Sequence, residues 1–364
     1  MTLAALGMTP HPASRTPHPA SRLPHPTSLV IQTSFLGDVV LTTPLIAELA
    51  HRGPVDVVIT PAAAPLLANN PDVRTLYVYD KRGRDAGMRG LLRMARRIRG
   101  DDSHGSAYLA QGSLRSALIA RLAGAAERVG FDTSAARALY TKRVPHRTDR
   151  HHAERLWRLA FPDEPAIEPC ADALRPRLYP GEDDVAAVDA LLQPFGGDAP
   201  LVVLAPGSVW GTKRWPYYPE LAKTIAGRAR LAVIGGSGDA ELAAAIENAV
   251  GPRPIVNAVG ALSLLASAEL IRRAALLVTN DSSPQHLASA MGTPTITLFG
   301  PTVPAFGFGP LAPRSIALGH PALDCRPCHH HGPATCPLRH WRCMRELTVG
   351  DVVGAVEAIL PLSA

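Results

Sequence analysis

Three segments in the second half of the chain repeat one pattern, in which a short apolar strand ends in a polar or glycine-rich turn and a helix follows. The predicted strands cover 201–205, 231–234 and 274–279. Strands that alternate with helices favour a parallel sheet with helices on both faces. The turns then gather at the carboxyl ends of the strands, where such sheets bind nucleotides. We therefore predict an α/β, Rossmann-like domain in this half.

The turn after the third strand is the most informative of the three. Ser282 or Ser283 can cap the helix that carries Pro284 in its first turn. The unpaired N–H groups of such a helix end attract anions. Asp281 and His286 stand where their side chains can reach the hydroxyls or phosphates of a ligand. The alternative is a helix cap and a satisfied histidine with no ligand.

The first half of the chain repeats the alternation. A buried strand at 29–33 is followed by a turn and by a helix that begins at Asp38, and further strands are predicted at 55–60 and 75–79. Helices are predicted at 61–69, 88–99 and 113–122. The proline-interrupted stretch 162–200, with one helix at 183–192, fits a connection between two domains. The apolar spacing of 349–360 predicts a closing helix.

The motifs, taken in order, resemble glycosyltransferase family 9, which contains heptosyltransferases. They are Ser34-Phe35-Leu36-Gly37-Asp38, Ala205-Pro206-Gly207-Ser208 with Lys213-Arg214-Trp215-Pro216, Ile234-Gly235-Gly236, and Asn280-Asp281-Ser282 with His286-Leu287-Ala288. The resemblance runs from about Leu29 to the C-terminus. It implies the GT-B architecture, two Rossmann-like domains facing across a cleft, with 29–175 binding the acceptor and 176–364 the nucleotide sugar. It also implies that the closing helix packs back toward the N-terminal domain.

The resemblance implies an inverting glycosyltransferase that moves a heptose from ADP-heptose to the inner core of lipopolysaccharide. Asp38 is then the general base, although by position alone it could be a helix-capping carboxylate. Lys213 is the diphosphate ligand, and Arg115 is a candidate for binding the anionic acceptor. The other predicted nucleotide-sugar contacts are Ser208, Thr212, Gly235, Gly236, Asp281, Ser282, Ser283 and His286. No acidic D-x-D pair occurs, so we predict transfer that needs neither a metal ion nor a cofactor.

Four cysteines lie close together near the C-terminus. Cys325, Cys328, Cys336 and Cys343 have C-x2-C-x7-C-x6-C spacing, and four histidines, His329, His330, His331 and His340, lie among them. The spacing approaches that of a structural zinc site, but the second pair is not C-x-x-C. Zinc binding and a merely packed loop both remain open. Within the family, this 325–343 segment resembles the branch that adds the second heptose rather than the first.

Charge and composition limit the classes of partner that we expect for this chain. Residues 28–175 carry 21 Lys and Arg against 16 Asp and Glu, whereas 176–364 carry 14 against 15. Five arginines between positions 89 and 99 predict a basic helix face that an anionic membrane attracts, although a merely solvated face is the alternative. No nucleic-acid motif accompanies this face, so nucleic acid is not an expected partner. No apolar run of about 18 residues occurs, so a membrane span is not expected. The resemblance implies a cytoplasmic enzyme, peripheral on the inner membrane.

Two further alternatives remain. One is a nucleotide-sugar epimerase or another GT-B enzyme without a glycolipid acceptor, and the other is a non-catalytic nucleotide-binding protein. Residues 1–28 are rich in Pro and His and contain a repeat, Thr-Pro-His-Pro-Ala-Ser-Arg. They are too poor in large apolar residues to form a core, which predicts a disordered tail.

Overall fold

The structure is a computed structural model and describes residues 27–101 and 104–361. The tail predicted at 1–28 lies outside the described residues up to position 26, whereas Thr27 and Ser28 already belong to the first strand. In chain order the strands are β1 (Thr27–Gln32), β2 (Val55–Ile59), β3 (Thr75–Val78), β4 (His104–Leu109), β5 (Glu127–Phe131), β6 (Lys142–Val144), β7 (Leu201–Ala205), β8 (Arg230–Val233), β9 (Ile255–Asn257), β10 (Leu276–Asn280), β11 (Thr295–Phe299) and β12 (Ser315–Gly319).

Helices fill the connections between these strands. They are α1 (Leu36–Ala50), α2 (Ala64–Leu67), α3 (Gly87–Asp101), α4 (Leu114–Leu122), α5 (His152–Trp157), α6 (Glu182–Leu192), α7 (Tyr218–Ile225), α8 (Ala240–Val250), α9 (Leu264–Arg273), α10 (Ser283–Met291), α11 (Arg342–Arg345) and α12 (Val349–Ile359). Among the described residues, no helix has the length and apolar content needed to cross a membrane.

The strands form two parallel sheets of six, as the α/β prediction requires. Their orders are β3-β2-β1-β4-β5-β6 and β12-β11-β10-β7-β8-β9, so both sheets have the same topology. The strand order reverses between β1 and β4 in one sheet and between β7 and β10 in the other. Loops diverge at such a point and leave a crevice for ligands. The chain therefore has the GT-B arrangement of two Rossmann-like domains.

The central strands are buried along their whole length because helices cover both faces of each sheet. Every residue of β1, β7 and β10 is buried. Helix α1 of the first domain contacts α10 of the second. Val40 of α1 and Leu287 of α10 belong to one buried apolar cluster. The two helices begin at the cleft, so their first turns face a common space.

The position of the closing helix differs from the expectation. The buried residues of α12, among them Val352 and Val356, pack with Val202 and Leu204 of β7, and α12 contacts α7 and β12. The implied packing toward the N-terminal domain was therefore wrong. An apolar stripe only requires an apolar neighbour, and the face of the second sheet that α7 leaves open supplies one.

Candidate active site between the two domains

Asp38 lies in the first turn of α1, at the cleft end of the first sheet. The helix is capped by Phe35 in extended conformation, and Asp38 is three residues further on, so it is not the N-cap residue that the alternative supposed. The Ser34 hydroxyl donates to Oδ2 of Asp38 at 2.5 Å. The carboxylate lines the cleft between the domains. It is therefore open to a ligand and oriented by one hydroxyl.

His152, at the start of α5, faces the same carboxylate. Its Nε2 lies 3.7 Å from Oδ1 of Asp38. Burial lowers the pKa of His152 to about 3, with the charge of Arg155 adding to the effect. The imidazole is therefore neutral at physiological pH, and the contact is not an ion pair. In the described part of the chain its buried Nδ1 has no hydrogen-bond partner.

A buried ion pair stands on the opposite wall of the cleft. Nζ of Lys213, in the turn after β7, lies 2.6 Å from Oδ2 of Asp281, in the turn after β10. The Thr302 hydroxyl donates to the same oxygen at 2.6 Å, and the Gln285 amide donates to Oδ1 at 2.8 Å. The carboxylate thus holds the lysine at the cleft wall and keeps its positive charge in place.

The first turn of α10 provides a second anion-attracting feature beside this pair. Ser282 is the N-cap and Pro284 occupies the first turn, but the Ser282 side chain accepts no hydrogen bond from the helix amides. The Ser282 and Ser283 side chains line the cleft. The hydroxyl capping that the sequence predicted is therefore absent. Amides without a side-chain partner, at the positive end of a helix, are suited to phosphate.

His286 connects the two domains at the back of the cleft. Its ring is so close to α1 that a Cβ added to Gly37 would lie 2.6 Å from Cδ2 of His286. Burial lowers the pKa of His286 to about 4. Its Nδ1 is buried without a hydrogen-bond partner among the residues described. Gly37 is thus required for the close approach of the two helices.

A second chamber of about 740 Å³ adjoins the cleft and is lined mostly by the C-terminal domain, with Leu36, Pro61, Ala62 and Pro65 of the N-terminal domain on one side. Ser208, Ser282 and Ser283 line both spaces, so the two are continuous. Gly235 and Gly236 form part of its floor, and its apolar lining comes from Ala205, Ile234, Leu262, Leu264, Pro284 and Leu287. An apolar chamber beside an anion-binding helix end has the shape and polarity that a nucleoside diphosphate requires.

Two of the predicted site residues lie away from this cleft. The Thr212 side chain is buried, and its hydroxyl donates to the carbonyl of Pro333 instead of facing a ligand. Arg115, on α4, donates from Nη1 to the carbonyl of Lys81 at 3.2 Å. Lys81 lines an adjoining pocket of the N-terminal domain together with Thr33, Ser34, Phe35, Tyr79, Asp80, Arg82 and Gln111. Arg115 therefore stands behind that pocket.

Several cleft residues had no signal in the sequence. His330 and His331 come from the cysteine-rich segment, and Phe306 and Phe308 come from the loop after β11. The Phe308 ring stacks on His152 with the centroids 4.7 Å apart. The paired histidines at positions 151–152, just before a short helix, were the one pattern that could have marked His152.

Comparisons with known proteins agree with this geometry. Residues 91–341 match Glycosyltransferase family 9 (heptosyltransferase). The chain belongs to this family. It is a glycosyltransferase, and the sequence resemblance is confirmed. The cleft between its domains is accordingly the candidate active site.

The relatives of the chain include lipopolysaccharide heptosyltransferases 1 and 2. The chain is 31% identical to lipopolysaccharide heptosyltransferase 1 of Pseudomonas aeruginosa over 82% of its own length and 85% of that protein. It is 29% identical to lipopolysaccharide heptosyltransferase 2 of Salmonella typhimurium over 76% of its own length and 84% of that protein. A family 9 glycosyl transferase from Veillonella parvula has the same fold, with a TM-score of 0.81, 24% identity, and coverage of 94% of this chain and 99% of that one.

Proposed function

We propose that the chain transfers a heptose from ADP-heptose to the inner core of lipopolysaccharide, with inversion at the anomeric carbon. One observation carries the proposal. A carboxylate of the N-terminal domain, Asp38, lines the same cleft as the Lys213 ammonium and the first turn of α10 from the C-terminal domain. A base on one wall and anion-stabilising groups on the other are the two requirements of transfer from a nucleotide sugar.

We propose one orientation for the donor in the two connected spaces. The nucleoside takes the apolar chamber over Gly235 and Gly236, and the diphosphate lies where that chamber meets the cleft, at Ser282 and Ser283. The sugar then points toward the N-terminal domain. This direction brings the anomeric carbon to the side of the cleft that Asp38 lines.

In the transfer step, the acceptor hydroxyl gives its proton to Asp38 while its oxygen forms a bond to the anomeric carbon. The bond between that carbon and the diphosphate oxygen breaks, and its electron pair leaves with ADP. Lys213 and the amides of α10 stabilise the charge that develops on the leaving group. Attack from the face opposite the diphosphate inverts the anomeric configuration.

For the acceptor, we propose that the pocket around Lys81 and Arg82 binds an anionic group. Arg115 contributes positive charge behind it, and the charges of Arg82 and Arg115 lower the pKa of Lys81 in addition to its burial. Mutual repulsion of this kind is relieved when an anion binds. We further propose the second heptose as the sugar added, on the basis of the cysteine-rich segment. Both branches appear among the relatives at nearly equal identity.

The basic face of α3 supports a peripheral position on the cytoplasmic face of the inner membrane. Leu91, Met94 and Ile98 of this helix are buried, whereas all five of its arginines, Arg89, Arg93, Arg96, Arg97 and Arg99, are exposed. Met88, at the start of the helix, is 60% exposed. Sedimentation with phosphatidylglycerol vesicles should decrease in Arg89→Glu/Arg96→Glu but not in Arg253→Glu. Equal binding by all three proteins would contradict membrane attachment through α3.

The deciding experiment for the function is transfer from ADP-heptose to a truncated lipopolysaccharide that ends in the first heptose. We expect wild type to transfer with EDTA present, Asp38→Asn to lose turnover about 10³-fold while it still binds ADP, and Asp198→Asn to behave as wild type. NMR of the product then gives the anomeric configuration. Transfer only to an acceptor without heptose would assign the chain to the branch that adds the first heptose.

Two other results would overturn the proposal. Transfer that survives in Asp38→Asn would remove the proposed base. A wild-type protein that binds ADP but transfers to neither acceptor would exclude heptose transfer to the inner core. Epimerisation of a nucleotide sugar without any acceptor would then favour the epimerase alternative.

A further inference from the structure

The carboxylate of Asp38 has a different neighbour at each of its two oxygens. The Ser34 hydroxyl donates to Oδ2 at 2.5 Å, and Nε2 of His152 lies 3.7 Å from Oδ1. A hydrogen bond to one oxygen leaves the carboxylate free to rotate about the bond that carries it, whereas contacts at both oxygens fix its plane. His152 is therefore placed to fix the second oxygen of the proposed base.

The surroundings of His152 decide which of its ring nitrogens carries the proton. Because burial lowers its pKa, the ring is neutral and has one N–H group and one acceptor nitrogen. Its Nδ1 is buried and has no hydrogen-bond partner in the described part of the chain, whereas Nε2 faces the carboxylate. A proton on Nδ1 would leave a buried donor unpaired and turn a lone pair toward a negative charge, and both are unfavourable. The proton therefore lies on Nε2, on the side of Asp38.

The contact between His152 and Asp38 is longer than a hydrogen bond. Donor and acceptor atoms of an N–H···O hydrogen bond lie about 2.7 to 3.2 Å apart. Contacts between catalytic groups are often long before substrate binds and shorten in the complex. The His152 side chain is 13% exposed and that of Asp38 18% exposed, so little water competes for the bond. A small rotation of either side chain is sufficient to form it.

The C-terminal domain holds the start of α5 in place. Helix α5 packs on α1, which carries Asp38, and three hydrogen bonds join α5 to residues 306–309 of the loop between β11 and β12. They run from the His152 amide to the Gly307 carbonyl at 2.7 Å, from His151 Nε2 to the Gly309 carbonyl at 3.0 Å, and from Arg155 Nη2 to the Phe306 carbonyl at 2.5 Å. The backbone that positions His152 is thus bonded to the opposite domain.

The same loop packs against the imidazole ring itself. The Phe308 ring lies on His152 with the centroids 4.7 Å apart. Gly307 has a left-handed φ of 92°, and a Cβ added there would overlap the Arg155 guanidinium. The loop therefore approaches α5 this closely only with glycine at position 307. The orientation of the His152 ring depends on both domains.

We propose that His152 is a positioning residue for Asp38, whose carboxylate its Nε2–H group orients, and that the 306–309 loop of the C-terminal domain orients His152 in turn. Catalytic side chains require such support because small errors in their placement lower the rate strongly. Separation of the domains would remove the Phe308 ring and the Gly307 carbonyl from His152. Asp38 is then held for proton transfer only while the domains enclose both substrates. The inference rests on the proposed function, because it takes Asp38 as the base.

The test is steady-state transfer from ADP-heptose by His152→Leu and His152→Gln. Leucine keeps an apolar side chain beside Phe308 without an N–H group, whereas glutamine keeps a donor at about the position of Nε2. We expect His152→Leu to lower kcat about 10- to 100-fold with the KM of both substrates unchanged, and His152→Gln to stay within about threefold of wild type. A residue that merely packs gives the reverse order. Wild-type kcat in His152→Leu, or equal losses in the two variants, would overturn the positioning role.

The part played by the loop is measured by adding Phe308→Leu to two backgrounds. If Phe308 acts through His152, Phe308→Leu should lower kcat several-fold in the wild-type background and less than twofold in His152→Leu. The exposed His51→Gln is the control that should leave kcat unchanged in both. Equal losses from Phe308→Leu in the two backgrounds would show that the loop does not act through His152.

Nitrogen-15 NMR of histidine-labelled protein tests the contact without any transfer and without relying on the leucine variant to fold. We expect His152, assigned by its missing signals in His152→Gln, to be neutral at pH 7 with its proton on Nε2. Its signals should shift in Asp38→Asn but not in Asp198→Asn. A proton on Nδ1 would overturn the inference. The expected tautomer in a wild-type chain that transfers no heptose would instead overturn the proposed function and leave the contact between His152 and Asp38 standing.

Discussion

The ammonium of Lys213 and the carboxylate of Asp281 form an ion pair, 2.6 Å between Nζ and Oδ2, at the point where the strand order of the second sheet reverses. Thr302 and Gln285 also donate to this carboxylate. When a diphosphate attracts the lysine, Asp281 therefore keeps two hydrogen bonds. The pair can release the lysine to a ligand without leaving a bare buried charge, which would be costly.

The first prediction concerns the lysine charge. Lys213→Met should weaken ADP binding at least about tenfold and lower kcat/KM about 10²- to 10³-fold, because the developing negative charge of the leaving group loses its nearest cation. Isothermal titration with ADP and steady-state kinetics measure the two effects. The control is Lys223→Met, an exposed lysine of α7. Unchanged ADP affinity in Lys213→Met would show that the lysine serves only the ion pair.

The second prediction concerns the hydroxyl that orients the proposed base. Ser34→Ala removes the 2.5 Å hydrogen bond to Asp38. We expect kcat to fall about tenfold with the KM for the donor unchanged, because the carboxylate loses its orientation but not its charge. Ser315→Ala, at an exposed position of β12, is the matched control. A rise in the donor KM with unchanged kcat would assign Ser34 to binding.

The strands that the sequence predicted share one property, continuous apolar character between glycine or proline breaks. Strands β7 and β10 are of this kind, and the sequence predicted their first and last residues to within two positions. Strands β4 and β5 were missed because they begin with polar residues, His104 and Glu127. Their conformation depends on pairing with neighbouring strands that local sequence does not specify.

Some residues of the candidate site could likewise be placed from the sequence, whereas others could not. Lys213 and Asp281 lie together because the parallel strands β7 and β10 bring their carboxyl ends to one edge of the second sheet, and Asp38, at the corresponding edge of the first sheet, faces them across the cleft. Thr212 turned away because its hydroxyl has a backbone acceptor in a loop 121 positions further along the chain. Contacts of this kind between distant loops depend on the tertiary packing of the C-terminal domain, and no local pattern encodes them.

The third prediction uses the contact between Gly37 and His286. Gly37→Ala places a methyl group against the imidazole ring and should force α1 and α10 apart. We expect a several-fold loss of kcat/KM and a lower free energy of unfolding, since tightly packed interiors tolerate added volume poorly. In the double variant Gly37→Ala/His286→Ala, the stability loss should be smaller than the sum of the single losses. Strict additivity in urea unfolding would show that the two residues do not press on each other.

The fourth prediction is a loss of stability in weak acid. Burial lowers the pKa of His152 to about 3 and that of His286 to about 4, whereas an unfolded histidine titrates near 6.5. Below pH 6.5 the unfolded chain therefore binds more protons than the folded one, and the free energy of unfolding falls as the pH falls. The dependence fades as the pH rises through the unfolded pKa, and above about pH 7.5 these two residues contribute almost none.

Between pH 6 and pH 4.5, each histidine should contribute a slope of about 1.4 kcal/mol per pH unit. His152→Gln and His286→Gln should each reduce the slope by that amount, whereas the exposed His51→Gln should leave it unchanged. Urea unfolding at four pH values measures the slope. A wild-type slope equal to that of the double variant His152→Gln/His286→Gln would mean that both imidazoles bind protons in the folded protein, and the cleft would then be open to water at its back wall.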